Sequence, residues 1–88
     1  AFPTLHTVVE EMHAATSRSP ERVVIDEYDD IYVYFREGGE VRFTHAYEPQ
    51  SLIANISSVF SSKRFETEES LEYADFRFGN KVYVKFTE

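Results

Sequence analysis

Apolar positions along this chain follow two periods in turn. Leu5, Val8, Val9, Met12 and Ala15 recur at helical spacing near the start. Leu52, Ile53, Ile56, Val59 and Phe60 form a second stripe of the same kind. Between them lie three strand-like segments. "RVVI" (Arg22 to Ile25) is β-branched. "IYVYFR" (Ile31 to Arg36) alternates Ile31, Val33 and Phe35 against Tyr32, Tyr34 and Arg36, and "VRFTH" (Val41 to His45) alternates Val41 and Phe43 against Arg42 and Thr44. The intervening "EYDD" and "EGGE" are turn-rich. Thr4 is placed to cap the first helix, and "SRSP" (Ser17 to Pro20) ends it. Pro49 suits the first turn of the second helix, where its missing N–H costs nothing, and Lys63 and Arg64 put positive charge at its far end.

Leu71 to Phe86 predicts a β-hairpin turning at Gly79-Asn80. Ala74, Phe76 and Phe78 share one face by alternation, as do Val82, Val84 and Phe86. A plain two-residue loop would set Phe76 opposite Tyr83 and Asp75 opposite Val84, splitting the two apolar sets between faces. A three-residue loop, or a bulge near Lys81, sets Phe78 opposite Val82 and Phe76 opposite Val84. Register follows the buried face, which favours this second arrangement. Tyr73, Asp75, Arg77, Tyr83 and Lys85 then point away from the helices. The order α-β-β-β-α-β-β predicts an α+β fold, with two helices packed on one face of a mostly antiparallel sheet that ends in a hairpin. The helical stripes should bury against Val33, Phe35, Phe43, Phe76 and Val84.

Length and composition narrow this picture. Residues 1–88 suffice for one domain and one small core, and eight Phe and six Tyr supply much of its area. With no Cys, neither a disulfide nor a thiolate is available. A net charge of −7 should repel phosphate backbones and anionic lipid, which argues against nucleic acid and direct membrane-surface binding. The excess sits in "DEYDD" (Asp26 to Asp30) and "ETEESLE" (Glu66 to Glu72). No stretch approaches a membrane span in length, and the opening "AFPTLHTVVEEM" does not resemble a signal peptide.

Candidate chemistry is sparse. His6, Glu10 and His13 stand at i, i+4 and i+7, a spacing that could place two imidazoles and a carboxylate around a metal, although a solvated helix flank accounts for them better. "DEYDD" resembles half of a calcium loop but lacks the glycine and distant glutamate of that pattern, so a charged turn is the better reading. The serines that crowd the second helix, Ser51, Ser57, Ser58, Ser61 and Ser62, have no Ser-His-acid motif around any of them. These residues predict a non-enzymatic protein with no cofactor, no metal and no small-molecule substrate. The alternatives are a small acidic inhibitor or DNA mimic, with carboxylates spaced like phosphates, and a metal-dependent enzyme using His6, Glu10 and His13.

The ending "LEYADFRFGNKVYVKF" resembles the closing strands of the FtsQ/DivIB family of bacterial cell-division proteins. Tyr73, Ala74, Asp75, Phe76, Arg77 and Phe78 fill the family's aromatic, apolar, Asp, apolar, Arg and aromatic places, with Ala74 smaller than the usual residue. The helix, the segment "RVVIDEYDDIYVYFREGGEVRF" and the helix "PQSLIANISSVF" are similar to the layout of the family's C-terminal β-domain. The resemblance implies a single β-domain-like module, either excised from a membrane-anchored parent or a stand-alone relative. It implies a place on the extracytoplasmic face of the cytoplasmic membrane, if the parent carries a membrane helix. It further implies a scaffold that docks division partners of the FtsB/FtsL type by strand addition at the C-terminal hairpin. The residues it points to are Phe78, Tyr83, Val84, Lys85, Phe86 and Arg77, with the two aromatics at 78 and 86 matching positions around the family's docking strand.

Overall fold

The computed structural model describes residues 5–63, 65, 70–79 and 81–87. Two helices, α1 (Leu5–Thr16) and α2 (Pro49–Phe60), accompany five strands, β1 (Pro20–Ile25), β2 (Asp30–Phe35), β3 (Glu40–Thr44), β4 (Leu71–Phe78) and β5 (Lys81–Phe86). Their order is α-β-β-β-α-β-β, and the fold is α+β. The strands lie in chain order, β1-β2-β3-β4-β5, in one sheet. Three neighbouring pairs are antiparallel, while β3 and β4 run parallel with α2 as their connection. A parallel pair cannot be closed by a tight turn, so a helical crossover is needed at that point.

Alternation in β2 and β3 matches the predicted faces. Ile31, Val33, Phe35, Val41 and Phe43 are buried under the helices, together with Val8 and Met12 of α1, Leu52 and Ile56 of α2, and Ala74 of β4. Phe76 and Val84, predicted as core, are only partly buried and pack against the outside of this cluster.

Local chemistry sets the helix ends. Ser17 takes a left-handed conformation, φ 58°, that breaks α1. The Thr16 hydroxyl turns back to the Met12 carbonyl at 2.6 Å. Glu48 caps α2, its carboxylate accepting from the Ser51 N–H at 2.6 Å ahead of Pro49. The helix closes at Ser61, so Lys63 lies past the last turn rather than within it. Thr4 and Arg64 lie outside the described residues.

The terminal hairpin follows the plain two-residue register only at its turn end and neither predicted register beyond it. Phe78 pairs with Lys81, Asp75 with Tyr83, and Ala74 with Val84, while Asn80 of the predicted turn lies outside the described residues. One shift falls between Leu71 and Tyr73 and another between Asp75 and Phe78; the extra residue of the latter sits in β4 and not near Lys81. The cause is a side chain. The Arg77 N–H donates to Asp75 Oδ1 at 3.1 Å instead of joining the ladder, and the strand bulges to allow it. The bulge turns Phe78 off the helix side and leaves it 51% exposed against Tyr83, where alternation had placed it with Ala74 and Phe76.

Gly39, in the β2–β3 turn, has φ +84°, and an added Cβ would stand 2.9 Å from the Leu71 side chain. This turn is therefore packed on the start of β4.

Candidate interaction surface

The face of the sheet opposite the helices carries a continuous set of tyrosines, arginines and carboxylates. Strand alternation supplies Asp30, Tyr32 and Tyr34 from β2, Glu40 and Arg42 from β3, and Tyr73 and Asp75 from β4, while the bulge adds Arg77 and Phe78. Arg77 is its hub. The guanidinium donates to Asp75 from Nε at 2.9 Å and from a terminal nitrogen at 2.7 Å, and its other nitrogen reaches Asp30 at 3.1 Å. The Tyr32 hydroxyl stands 3.4 Å from that nitrogen and donates to Asp26 at 3.1 Å. Asp75 is 3% exposed, and Arg42 approaches its carboxylate at 3.9 Å. Hydrogen bonds donated to Asp75 raise the Arg77 pKa further despite burial, which keeps this hub cationic at every working pH. Among the described residues, every buried side-chain nitrogen and oxygen has a partner.

Aromatic rings overlay these charges. Arg42 lies 4.1 Å from the Tyr73 ring centre, Arg22 lies 4.5 Å from that of Tyr34, and Arg77 lies 5.5 Å from that of Phe78. A shallow depression of about 360 Å³ opens between Arg42, Tyr73, Asp75, Arg77, Phe78 and Tyr83.

The edge beside this depression is β5. The Thr87 N–H donates to the Ser70 carbonyl at 2.7 Å, which fixes the alternation of the strand. Lys85 and Tyr83 accordingly turn their main-chain groups towards β4, and Val84 turns its N–H and carbonyl away from it. No strand among the described residues lies on that outer side.

The six residues predicted for partner contact divide between two faces. Phe78 and Tyr83 meet edge to face, centroids 5.2 Å apart, each half exposed at the turn end of the hairpin. Arg77 lies beneath them, committed to Asp75 and Asp30. Lys85 is exposed and pairs with Glu72 at 3.2 Å. Val84 and Phe86 belong to the helix side, and Phe86 meets Phe65 at 5.0 Å, in a row that continues through Phe60 to Phe35. Phe65, Arg42 and Tyr32 were not singled out from the sequence as contact residues, and Asp30 was read there only as a member of the acidic turn "DEYDD". The alternation of β2 and β3 contained the signal for three of them, while Phe65 follows α2 with no periodic cue.

The other candidate groups are occupied locally. His6 meets Glu10 at 2.6 Å, while His13 Nδ1 lies 3.2 Å from the Arg18 carbonyl. Among the described residues, no three His, Asp or Glu side chains are grouped to hold a metal ion. Asp26 accepts from the N–H groups of Tyr28 and Asp30 at 2.9 and 3.0 Å, so "DEYDD" folds as a turn organised by its first carboxylate. Glu66 to Glu69 of the second acidic run lie outside the described residues. No described helix is long and apolar enough to cross a membrane.

Burial pushes the Asp26 pKa up, but the N–H donors of Asp30 and Tyr28, the Tyr32 hydroxyl and Arg77 outweigh it and hold the carboxyl below its usual range. A carboxyl whose pKa is lower in the folded state favours folding above its ordinary value, and that contribution is lost as pH falls through the folded value. Acid unfolding of Asp26→Asn should therefore be less steep than that of the parent below about pH 4. Equal steepness in parallel acid titrations would remove Asp26 from this role.

Comparison with protein-family models, curated proteins and solved structures gives no match.

Proposed function

We propose that this chain is a non-enzymatic interaction module that receives an extended segment of a partner protein as an added strand along β5. One observation carries the reading. The last strand of the sheet turns the main-chain groups of Val84 outward, beside an exposed Phe78–Tyr83 pair. Strand addition gains main-chain hydrogen bonds along such an edge, and neighbouring side chains select the partner. The likeness of "YADFRF" and of the element order to the FtsQ/DivIB β-domain supports a division partner of the FtsB/FtsL type and a place outside the cytoplasmic membrane. In this reading Arg77 positions Phe78 and the open face. Lys85 is the charge nearest the partner, and Val84 and Phe86 line the helix side of the added strand.

The test is titration of an FtsB-type peptide monitored by calorimetry. Val84→Pro removes the outward N–H without taking a donor from the β4–β5 ladder, and it should weaken binding by about tenfold or more. Tyr83→Ala should weaken binding by more than about 1 kcal/mol through loss of an exposed aromatic anchor. Circular dichroism first checks that each variant keeps its fold. Parental affinity in a folded Val84→Pro protein would overturn docking at this edge.

A further inference from the structure

β1 forms the opposite end of the sheet, and it is built unlike β5. Where β5 sets Lys81 and Lys85 on exposed positions, β1 carries Val23, Val24 and Ile25 at 38%, 37% and 55% exposure. Val23 and Ile25 stand opposite Val33 and Ile31, hence on the helix side, yet they are covered only in part. Val24 stands opposite Tyr32 and Arg22 opposite Tyr34, on the open face. The Asp26 N–H donates to the Asp30 carbonyl at 3.0 Å. By alternation, Val24 and Arg22 turn their main-chain groups to β2, and Val23 and Ile25 turn theirs outward. Between Arg22 and Ile25 there is no proline, lysine or bulge of the kind that blunts an edge.

We propose that β1 pairs antiparallel with β1 of a second copy, about a twofold axis at Val24, joining two five-stranded sheets edge to edge. The register follows from the edge. Main-chain groups that point outward must face each other, which places the axis at residue 23, 24 or 25 and not midway between two residues. Centred on Val23, Glu21 falls opposite Ile25, and centred on Ile25, Val24 falls opposite Asp26. Centred on Val24, Val23 meets the partner's Ile25 on the helix side, the two Val24 side chains meet on the open face, and Arg22 falls opposite the partner's Asp26. This register alone makes every cross-strand pair from 22 to 26 apolar or oppositely charged. Asp26 is already directed to the open face by its bond from Tyr32, the same side as Arg22. From Arg22 to Asp26 the strand is thus complementary to itself in main chain, apolar surface and charge, while Glu21 falls opposite Glu27 of the second copy just beyond. Both β5 strands remain at the far ends of the joined sheet.

A partner of the opposite charge would also be drawn to so acidic a chain, and salt separates the two cases. Each copy carries −7, so long-range repulsion opposes self-pairing, and added salt should strengthen it, whereas salt weakens capture of a basic partner. Sedimentation velocity of the full chain should show a concentration-dependent dimer whose share rises with ionic strength. Val24→Lys and Val24→Glu each place like charges together at the axis, and each should weaken self-association by at least about tenfold. Mixed in equal amounts, the two variants should associate again. Amide exchange on the unsubstituted chain gives an independent reading, because the N–H groups of Val23 and Ile25 should gain protection as concentration rises. A monomer at all concentrations and salts, an undiminished dimer in Val24→Lys, failure of the mixture to associate, or unchanged exchange at Val23 and Ile25 would each overturn the proposal.

Discussion

Replacing Arg77 with Met should destabilise the protein by about 3 kcal/mol, read as a lower denaturant midpoint at unchanged slope. The side chain of Asp75 is 4% exposed and receives its fork of hydrogen bonds from Arg77, so removing the guanidinium leaves a buried carboxylate short of partners. Arg42, 3.9 Å away, compensates in part, which keeps the effect near the lower end for a broken buried pair. The bulge should suffer with it, because the carboxylate that holds the Arg77 N–H out of the ladder loses its counter-charge. Arg77→Lys should recover only part of the loss, since a single ammonium cannot fork to Asp75 and also reach Asp30. A midpoint unchanged in Arg77→Met would mean that Asp75 is paired well enough without it.

Phe43→Ala should cost about 3–5 kcal/mol by the same measurement. The Phe43 ring is 1% exposed, lies in the middle of the sheet under both helices, and meets Tyr47 edge to face at 5.0 Å. A domain of this size has little stability to spare, so this variant should be close to unfolding at ordinary temperature. Phe76→Ala removes the same number of atoms from a half-buried position and should cost distinctly less. Equal losses at the two positions would place Phe76 inside the core after all.

The order of elements and the buried face of β2 and β3 were legible because Ile31, Val33, Phe35, Val41 and Phe43 follow a period of two against polar neighbours. Both helices declared themselves by their stripes. The face of Phe78 was misread because alternation counts residues, and a bulge held by the next side chain but one resets the count. The parallel contact of β3 with β4 leaves no local trace either. It brings Arg42 beside Asp75 across more than thirty residues of chain, so the site appeared from sequence as a hairpin alone and not as a network over β2, β3 and β4. An apolar run such as Arg22 to Ile25 reads the same whether its flanks are covered or bare, which is why the exposure of β1 is visible only in the folded molecule.

The close fit at Gly39 has an evolutionary consequence. At Gly38 an added side chain meets only open space, so the sequence can drift there at the expense of local backbone strain alone. At Gly39 a side chain meets that strain, the Leu71 side chain at 2.9 Å and the Leu71 carbonyl at 3.0 Å, so a smaller residue at 71 would clear only part of the clash. Gly39 is therefore held by the main chain of a strand in a different hairpin. Among diverged descendants of this chain, glycine should persist at 39 whatever residue stands at 71, while position 38 varies.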